Sequence, residues 1–389
     1  MNLRTGLRAA GAVLAACATV CVAVLAGCAP GAPKRTTVEF WQPFEASRYD
    51  SVIARFERAN PALTVHVRTI EAGAMRDSIA AALASGALPD LCVLDSTTLP
   101  ALLEHGDLSD WSAGVADLRD SLVGWESCSV GDALYGMPWL AAPRLLVYDH
   151  DRFVRAGLDP AEVLSGWEAF SRASAKLRRV GGMPVMGFAR DGLFAACLPA
   201  LAADDSVRWD DDERVLALEA MVRLRAQGMV GTQDSLERAF ESGTLAVIAA
   251  GPAFARRIAG RPHVGIAPLP GLVTPATCLV LASFARSRHK EAALRFARAL
   301  DSDSEAVELA DRFPDWVPAR RVAPAGTGAG ALFASQVPRA WFAPATAAEA
   351  ARRAVLEAAF AASLLQGTGV RASLAAAQAS LDSLAGVHP

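Results

Sequence analysis

Strands and helices alternate in the chain from Thr36 to Gly106. Thr37 to Trp41 has the alternating apolar pattern of a strand, and the helix that follows it is ended by Asn60-Pro61. Leu63 to Val67 is a second strand, and a further helix leads to a buried strand at Pro89 to Leu94. This order predicts an α/β fold in which a parallel sheet carries helices on its faces.

The stretch Asp132 to Asp151, which reads DALYGMPWLAAPRLLVYDHD, indicates a change of direction in the chain. A glycine and a proline punctuate its first half, and Leu145 to Tyr148 is a short apolar run of strand type. We interpret it as a crossing between two lobes with a ligand cleft beside it. Trp139 would then be an apolar wall and Arg144 a fixed charge. The alternative is that Trp139 belongs to the core and Arg144 to the surface.

The remainder of the chain is typical of a second α/β unit followed by a return to the first. Residues 151–270 contain helix and strand patterns and end in a proline-rich segment that predicts a second crossing. Phe313 to Arg321 predicts a third crossing, because its two prolines argue against regular structure. Two alanine-rich helices, Ala347 to Leu365 and Val370 to Leu384, complete the pattern. A chain of 389 residues is long enough for two such domains.

Residues 1–27 have the pattern of an export signal. A charged start and an uncharged run from Ala9 to Ala26 precede the sequence Leu25-Ala26-Gly27-Cys28. This order resembles a bacterial lipoprotein signal, in which Cys28 is lipidated and becomes the mature N-terminus, and residues 28–35 would be a linker. The alternative is a membrane helix that stays attached. Either interpretation places the body of the protein outside the cytoplasm, on a bacterial membrane.

Composition excludes several classes of function. The formal net charge of −3 and the absence of a basic patch in the sequence give no indication of nucleic-acid binding. The six histidines form no metal spacing, and neither a Gly-x-Ser-x-Gly nor a phosphate-binding loop occurs. We therefore expect no enzyme, no cofactor and no metal site. Four cysteines remain beyond the signal and Cys28, as disulfides or as buried thiols: Cys92, Cys128, Cys197 and Cys278.

Eight segments of the chain occur in a recognisable order. They are TTVEFWQPF, FERANPALTVHV, ALASGALPDLCVLDS, LYGMPWLAAPRLLVYDHDRFVRAGLD, FESGTLAVIAAGP, VGIAPLPG, SRHKEAALRFARAL and LLQGTGVRASLAAAQASL. In this order they resemble the extracellular solute-binding proteins of ABC importers, in the branch similar to maltose-binding and glycerol-phosphate-binding proteins. The resemblance covers nearly the whole chain after the signal.

The resemblance implies the two-lobed periplasmic-binding-protein fold of type II, with three hinge crossings. The N-terminal lobe would comprise residues 36–139 and 271–317, and the C-terminal lobe residues 140–270 and 318–389. A ligand would lie between the lobes, held by aromatic and polar side chains at the strand ends. Carried over residue by residue, the implied ligand-binding residues are Trp41, Gln42, Glu45, Asp95, Ser96, Trp139, Arg144, Phe254, Trp316 and Arg320.

Several of these residues also have structural interpretations that the sequence leaves open. Trp41 follows a strand directly and could be core, Asp95 could cap the next helix, and Trp316 could anchor the hinge by packing. Arg320 could be a solvated surface charge. The family often places a tryptophan after Gly-Pro, whereas this chain has Ala253 and then Phe254. A smaller or less polar ligand than a sugar therefore stays open.

The expected function is that of a monomeric, lipid-anchored solute-binding component of an ABC importer, located outside the cytoplasm. Its expected partners are a small solute, a carbohydrate by resemblance, the ABC permease subunits and the membrane. Indole faces stack on the C–H faces of sugar rings, while carboxylates, amides and guanidinium groups pair with hydroxyls. The alternative is a lipid-anchored sensor that passes a ligand signal to a membrane protein.

Overall fold

The computed structural model of the protein describes residues 35–190, 197, 208–271, 273–322 and 328–386. The predicted signal, Cys28 and nearly all of the linker lie outside these residues. Among the described residues, no helix is both long enough and apolar enough to span a bilayer.

The described strands follow the predicted alternation. They are β1 (Thr36–Gln42), β2 (Leu63–Thr69), β3 (Leu91–Asp95), β4 (Ser129–Val130), β5 (Ala133–Leu134), β6 (Met137–Pro143), β7 (Leu145–Asp149), β8 (Met186–Ala189), β9 (Met229–Gly231), β10 (Val247–Ala250), β11 (Val264–Pro268), β12 (Thr274–Ala282), β13 (Val317–Pro318) and β14 (Ala340–Phe342).

The described helices separate most of these strands. They are α1 (Asp50–Ala59), α2 (Ala72–Ser85), α3 (Leu99–Glu104), α4 (His150–Arg155), α5 (Pro160–Val163), α6 (Trp167–Gly181), α7 (Asp212–Ala226), α8 (Gln233–Glu241), α9 (Pro252–Ile258), α10 (Lys290–Leu300), α11 (Asp303–Arg312), α12 (Gly328–Gln336), α13 (Ala347–Leu365) and α14 (Val370–Gly386).

Local signals end the first helices where the sequence predicts. The amide of Asn60 donates to the carbonyl oxygen of Phe56 at the end of α1, and a proline follows. Helix α2 ends at Gly86, whose φ of 76° lies in the left-handed region that glycine adopts without a steric penalty. Its N–H donates to the carbonyl oxygen of Ala82 at 2.8 Å. The chain is thereby turned toward β3.

Two main sheets form the two lobes. The first has the order β13-β6-β12-β3-β1-β2, with β14 paired to the start of β12, and the second has the order β11-β7-β10-β8-β9. Strand β1 is parallel to β2 and β3, as predicted, whereas β12 is antiparallel to both β3 and β6. The first sheet is therefore mixed, because the chain returns to it from the second lobe in the opposite direction.

Three hydrophobic clusters hold the sheets and helices together. One fills a face of the first sheet and includes Phe40 and Phe296, and another belongs to the second lobe and includes Phe170 and Phe360. The third runs from the first sheet to helices α8 and α9 of the second lobe, with Phe333 of α12 among its members. The lobes are thus joined by continuous apolar packing as well as by the chain.

The crossings differ from the predicted boundaries at two of the three places. Strand β6 stays in the first sheet through Pro143, so the first lobe extends beyond the expected limit at residue 139. Between β11 and β12 the chain passes back to the first sheet, in the region where the second crossing is expected. The lobe to which each strand belongs is set by long-range strand pairing, which the local sequence pattern does not encode.

The third crossing comes later than the stretch Phe313 to Arg321. Strand β13 pairs with β6, and the backbone N–H of Arg321 donates to the carbonyl oxygen of Ser121, so this stretch stays with the first lobe. The second-lobe cluster is reached again by Leu356 and Phe360 of α13. We propose that the third crossing runs from β14 to α13, and that residues 318–321 belong to the N-terminal lobe.

Candidate functional site

One edge of the first sheet faces the crossings. Strands β1 and β3 end there, and β12 begins there because it is antiparallel to β3. The backbone N–H of Ser96 donates to the carbonyl oxygen of Cys278 at 2.9 Å, and Ala276 pairs with Pro143 at the end of β6. The loops that leave this edge therefore lie at the lobe boundary, where the fold predicts a ligand.

The loop after β1 is fixed by Gln42. This side chain is fully buried, and its amide nitrogen donates to the carbonyl oxygen of Phe44 at 2.8 Å and to the hydroxyl of Thr69 at 2.9 Å. Its amide oxygen accepts the N–H of Phe44. The polar atoms of Gln42 are thus engaged within the protein, so it shapes the loop. Of the predicted group after β1, Glu45 is exposed.

Trp41 is almost entirely covered. It lies in the cluster that includes Ile70 and Met75, and the guanidinium carbon of Arg68 lies 4.7 Å from the centre of its ring. A cation over an indole face occupies the surface that a sugar would need. The core interpretation of Trp41 therefore describes its position better than ligand stacking does.

Asp95 and Ser96 fix the turn between β3 and α3. A carboxylate oxygen of Asp95 accepts the N–H of Thr97 at 2.8 Å, and the carbonyl oxygen of Asp95 accepts the hydroxyl of Thr98 at 2.7 Å. Ser96 is buried. Asp95 is half-buried and acts as a turn residue.

The prediction that Trp139 lines the cleft is wrong. It is fully buried, and its ring lies 5.0 Å from that of Phe313 and 6.3 Å from that of Tyr49. Its indole N–H donates to the carbonyl oxygen of Leu300 at 3.3 Å. The cause is the pleat of β6, which directs this side chain to the aromatic face of the first sheet and away from solvent.

Phe254 is also a core residue. It is 2% exposed, its ring lies 5.9 Å from that of Phe240, and the guanidinium carbon of Arg257 lies 4.9 Å from its centre. Helix α9 begins at Pro252, so Phe254 points from its first turn into the cluster shared with α8. The predicted ligand contact at Phe254 is therefore replaced by packing.

Arg320 forms a structural ion pair within the first lobe. Its guanidinium lies 2.8 Å from a carboxylate oxygen of Asp303 and 3.2 Å from one of Asp301, and it also donates to the carbonyl oxygen of Asp301. Burial raises the pKa of the Asp301 carboxyl to about 7, and the charge of Arg320 opposes that shift. Because Asp301 and Asp303 lie at the α10–α11 junction, Arg320 ties that junction to the segment after β13.

Arg144 lies in the first crossing. Its backbone N–H donates to the carbonyl oxygen of Pro275 at 3.0 Å, and its carbonyl oxygen accepts the hydroxyl of Thr274 at 2.5 Å. The first and second crossings are thus bonded to each other. The side chain of Arg144 is half-buried.

Trp316 lines a cavity between the lobes, which we call the Trp316 cavity. It has a volume of about 490 Å³, within the range of small-molecule sites. The first lobe contributes α11 and the turn that carries Trp316, and the second lobe contributes α9, while α12 closes one side. Its lining residues are Pro252, Arg256, Ala259, Val307, Ala310, Asp311, Pro314, Trp316, Val317, Pro318, Ala329, Gly330, Ala331, Phe333 and Ala334.

An ion pair connects the lobes at this cavity. One carboxylate oxygen of Asp315 lies 2.5 Å from a terminal guanidinium nitrogen of Arg256 and 2.9 Å from its Nε. Arg256 belongs to α9 of the second lobe, and Asp315 precedes Trp316 in the first. Both side chains are exposed. The cavity therefore combines an apolar wall, a half-buried indole and charged groups on its rim.

A second cavity of about 580 Å³ lies between α2, α3 and α13. Its polar lining comes from Arg76, Thr97, Thr98, His105 and Asp107, and Ala350 is its contact from α13. The Nδ1 atom of His105 lies 2.7 Å from the carbonyl oxygen of Ala101, and this hydrogen bond is the main cause that raises the pKa of His105. The lining of this cavity contains no Phe, Trp or Tyr side chain.

Arg256 and Asp315 are not among the residues that the sequence pattern predicts for the site. Asp315 directly precedes Trp316, and Arg256 lies two positions after Phe254, so each is within two positions of a residue that was predicted. A helical register starting at Pro252 would have indicated that Arg256 shares a face with Pro252 and Ala259, four and three residues away. Their pairing across the lobes is a long-range contact that periodicity does not reveal.

In the described ranges, metal-ligating side chains are not clustered and the cysteines are buried. Among these residues, no group of three or more His, Cys, Asp or Glu side chains could hold a metal ion. The four cysteines of the described residues, Cys92, Cys128, Cys197 and Cys278, are free and buried, and burial raises the pKa of each thiol. A buried protonated thiol is a poor nucleophile.

Comparison with known proteins gives one family and one fold. A family model described as bacterial extracellular solute-binding protein matches residues 51–334. An uncharacterized lipoprotein of Streptomyces antibioticus is 27% identical over 215 residues, which are 52% of this chain and 48% of that protein. This chain thus matches about half the length of that relative.

Solved structures of similar shape cover most of the chain. The sugar-binding protein MalE of Xanthomonas citri has a TM-score of 0.75 at 24% identity, over 90% of this chain and 97% of its own. The cyclic alpha-maltosyl-1,6-maltose binding protein of Arthrobacter globiformis has a TM-score of 0.75 at 18% identity, over 90% and 99%. These similarities confirm the predicted two-lobed α/β fold.

Proposed function

The chain belongs to the bacterial extracellular solute-binding proteins, and we propose that it is the lipid-anchored component of an ABC importer that captures a small carbohydrate between its two lobes. The names of similar structures, which refer to sugar, maltose-type and acarbose ligands, support a carbohydrate. The lipoprotein from Streptomyces antibioticus supports the anchor at Cys28. We further propose that the protein acts as a monomer and delivers its solute to permease subunits.

The observation that carries this proposal is the Trp316 cavity. It is bounded by both lobes, its volume of about 490 Å³ suits a small ligand, and it offers a half-buried indole beside Arg256 and Asp311. An indole face contacts the C–H groups of a sugar ring, while charged groups at the rim bind its hydroxyls. Among the predicted ligand residues, Trp316 therefore has the surroundings that fit a carbohydrate best.

A ligand in this cavity would contact the two lobes at once. Such a ligand binds more tightly to the arrangement in which the lobes are close, and it shifts the population toward that arrangement by its differential affinity. The hydrogen bonds that join Arg144 to Thr274 and Pro275 mark where the first two crossings would move together. Closure on the solute would then present a single shape to the permease.

A thermal-shift screen against sugars and polyols tests the proposal. A ligand that binds only the native state raises the melting temperature by an amount that grows with its concentration. We expect at least one carbohydrate to stabilise the wild-type protein. The Trp316→Ala variant should lose this shift, whereas Trp209→Ala, which removes a half-buried indole in the second lobe, should keep it. The carbohydrate proposal would be contradicted if no member of the library stabilised the wild-type protein. Equal shifts in the Trp316→Ala and Trp209→Ala variants would also contradict it.

The anchor is tested separately. Lipid on Cys28 should hold the protein on a membrane, so Cys28→Ala should release it or leave it unprocessed. Membrane fractionation and electrophoretic mobility measure both outcomes. A Cys28→Ala protein that fractionates and migrates like the wild type would contradict lipidation, without bearing on solute binding.

A further inference from the structure

The pole of the first lobe opposite the lobe boundary carries a surface pocket. Strand β1 starts there at Thr36 and ends at the boundary with Gln42, so the length of the strand separates the two regions. The pocket has a volume of about 510 Å³. It is lined by Thr36, Leu63, Ser287, Arg288, His289, Lys290, Glu291, Ala292 and Arg295, a set that we call the cationic pole.

A hydrogen-bond network fixes the chain at this pole. A carboxylate oxygen of Asp90 accepts the hydroxyl of Ser287 at 2.6 Å, and the other accepts the N–H of Glu39 at 3.0 Å and lies 3.2 Å from Nδ1 of His289. The serine hydroxyl donates to the carboxylate and not to the histidine, so the three residues do not form a proton relay for catalysis. They hold the start of α10 against β1 and β3.

The cations of the pole are free to meet an external anion. Arg288, Lys290 and Arg295 are exposed, and among the described residues none of them has a carboxylate within 4.0 Å. Arg295 donates to the amide oxygen of Asn60 at 3.3 Å. Arg35, also exposed, donates to the carbonyl oxygen of Pro61. Glu291 is the exposed carboxylate of the lining, so the pole is positive on a chain of net charge −3.

The short linker between Cys28 and Thr36, which we call the tether, determines which surface the cationic pole faces. Seven residues, 29–35, separate the proposed lipid site at Cys28 from Thr36. Fully extended, they span about 25 Å, whereas a folded body of this length is roughly 50 Å across. The face that carries Thr36 must therefore stay close to the membrane, and the opposite end of the protein cannot reach it.

We propose that the cationic pole binds the anionic phospholipid headgroups of the membrane to which Cys28 is attached. The inference rests on the proposed lipid anchor and deepens it. Each Lys or Arg near an anionic surface adds electrostatic attraction, which falls off within a Debye length. The contact should therefore form at low salt and be screened at high salt. The contact would hold the first lobe against the membrane surface.

Lysine acylation of the anchored full chain tests this proposal. The sequence contains three lysines, of which Lys34 lies in the tether, Lys290 in the cationic pole and Lys176 in the second lobe. Lys176 is exposed and serves as the internal control. The lipidated protein is reconstituted into phosphatidylglycerol vesicles and into phosphatidylcholine vesicles, and mass spectrometry measures the rate at which each lysine is acylated.

We expect Lys290 to be acylated about tenfold more slowly on phosphatidylglycerol at low salt, from the attraction of three or four cations to the surface. Lys176 should react equally on both vesicles, and high salt should remove the protection of Lys290. The charge reversals Arg288→Glu and Arg295→Glu together should also remove it. The matched reversals Arg178→Glu and Arg179→Glu on α6 should leave it unchanged.

Three contrary outcomes are distinguishable. Protein that floats with both vesicles but shows equal acylation of Lys290 would overturn the headgroup contact and leave the anchor intact. Protein that floats with neither would overturn the lipid anchor, and the headgroup contact with it. Protection that needs a permease in the vesicle, and no anionic lipid, would assign the pole to a protein partner and reject lipid.

Discussion

Trp139 and Trp316 have similar sequence surroundings and opposite positions. Each lies within two residues of a proline, in a stretch that the sequence predicts to cross between lobes. Trp139 is fully buried among the aromatic rings of the first lobe, whereas Trp316 is half-buried and lines the cavity between the lobes. A proline-flanked tryptophan therefore does not by itself indicate a ligand site.

The difference comes from strand pairing. Trp139 lies in the middle of β6, which has β12 on one side and β13 on the other, so both edges of its strand are covered. Trp316 directly precedes β13, a strand of two residues at the edge of the sheet. A side chain beside a short edge strand can reach the surface, and one in a central strand with covered faces cannot.

The largest expected effect is on the stability of the first lobe. Replacing Trp139 with Ala should lower the free energy of unfolding by about 3–5 kcal/mol, because it removes a buried indole and leaves a cavity. Urea denaturation of the unliganded protein measures this loss. Trp139→Phe, which keeps an aromatic ring there, should lose less. If Trp139→Ala unfolded at the wild-type urea concentration, Trp139 would not be a stabilising core residue, and it would no longer differ from Trp316 in this respect.

The next effect concerns the buried carboxyl of Asp301. Its native pKa of about 7 lies above the ordinary value of 3.8, so the native state holds this proton more tightly than the unfolded state. The contribution of Asp301 to stability is therefore complete below about pH 4 and is lost as the pH rises through about 7. At three pKa units this amounts to at most about 4 kcal/mol.

The variant Asp301→Asn cannot ionise, so its free energy of unfolding should change less than that of the wild type over this pH range. Urea titrations at several pH values measure the difference. Asp303→Asn alters an exposed carboxylate that also pairs with Arg320 and should follow the wild-type curve. Parallel curves for wild type and Asp301→Asn would mean that Asp301 is ionised in the native state throughout.

Local signals made much of the fold predictable. Asn60-Pro61 and Gly86 end helices where they act in the structure, because capping and left-handed backbone depend on neighbouring residues only. The helix Ala347–Leu365 has its predicted bounds. The limits of the lobes were not predictable, since they depend on the pairing of β13 with β6, two segments far apart in sequence.

The candidate site was harder to predict than the fold. The sequence indicated that residues at strand ends matter, but not which atoms they would use. The side-chain amide of Gln42 is hydrogen-bonded within the protein at the loop after β1, and Arg320 pairs with Asp301. Both polar groups are therefore satisfied inside the protein. A polar residue type at a strand end is equally suited to either task, and tertiary contacts decide between them.

Trp316→Ala should weaken binding of the stabilising ligand with little change in the stability of the unliganded protein. The loss of apolar contact from one aromatic side chain is about 2 kcal/mol, or roughly thirtyfold in Kd. Calorimetric titration measures the affinity, and urea denaturation measures the stability. Trp209→Ala controls for the loss of an indole elsewhere. Unchanged affinity with lowered stability would make Trp316 a packing residue like Trp139.

The smallest expected effect separates coupling between lobes from stability within one. The Arg256–Asp315 pair is exposed, so Arg256→Ala should change the free energy of unfolding by less than about 1 kcal/mol. The pair nevertheless joins two lobes, and removing it lowers the population of the arrangement in which they are close, by up to about fivefold. X-ray scattering should therefore give a larger mean radius of gyration for unliganded Arg256→Ala than for the wild type.

The Arg298–Asp117 pair provides the matched control, because its side chains are similarly exposed and both belong to the first lobe. Arg298→Ala should cost a comparable amount of stability and leave the radius of gyration unchanged. Added salt should move the wild-type radius toward that of Arg256→Ala, since screening weakens an exposed pair. Equal radii for the two variants would mean that the lobes are held by the apolar cluster around Phe333 and not by charge. In that case the boundary would resemble the interior around Trp139, and a ligand would enter the Trp316 cavity without domain closure.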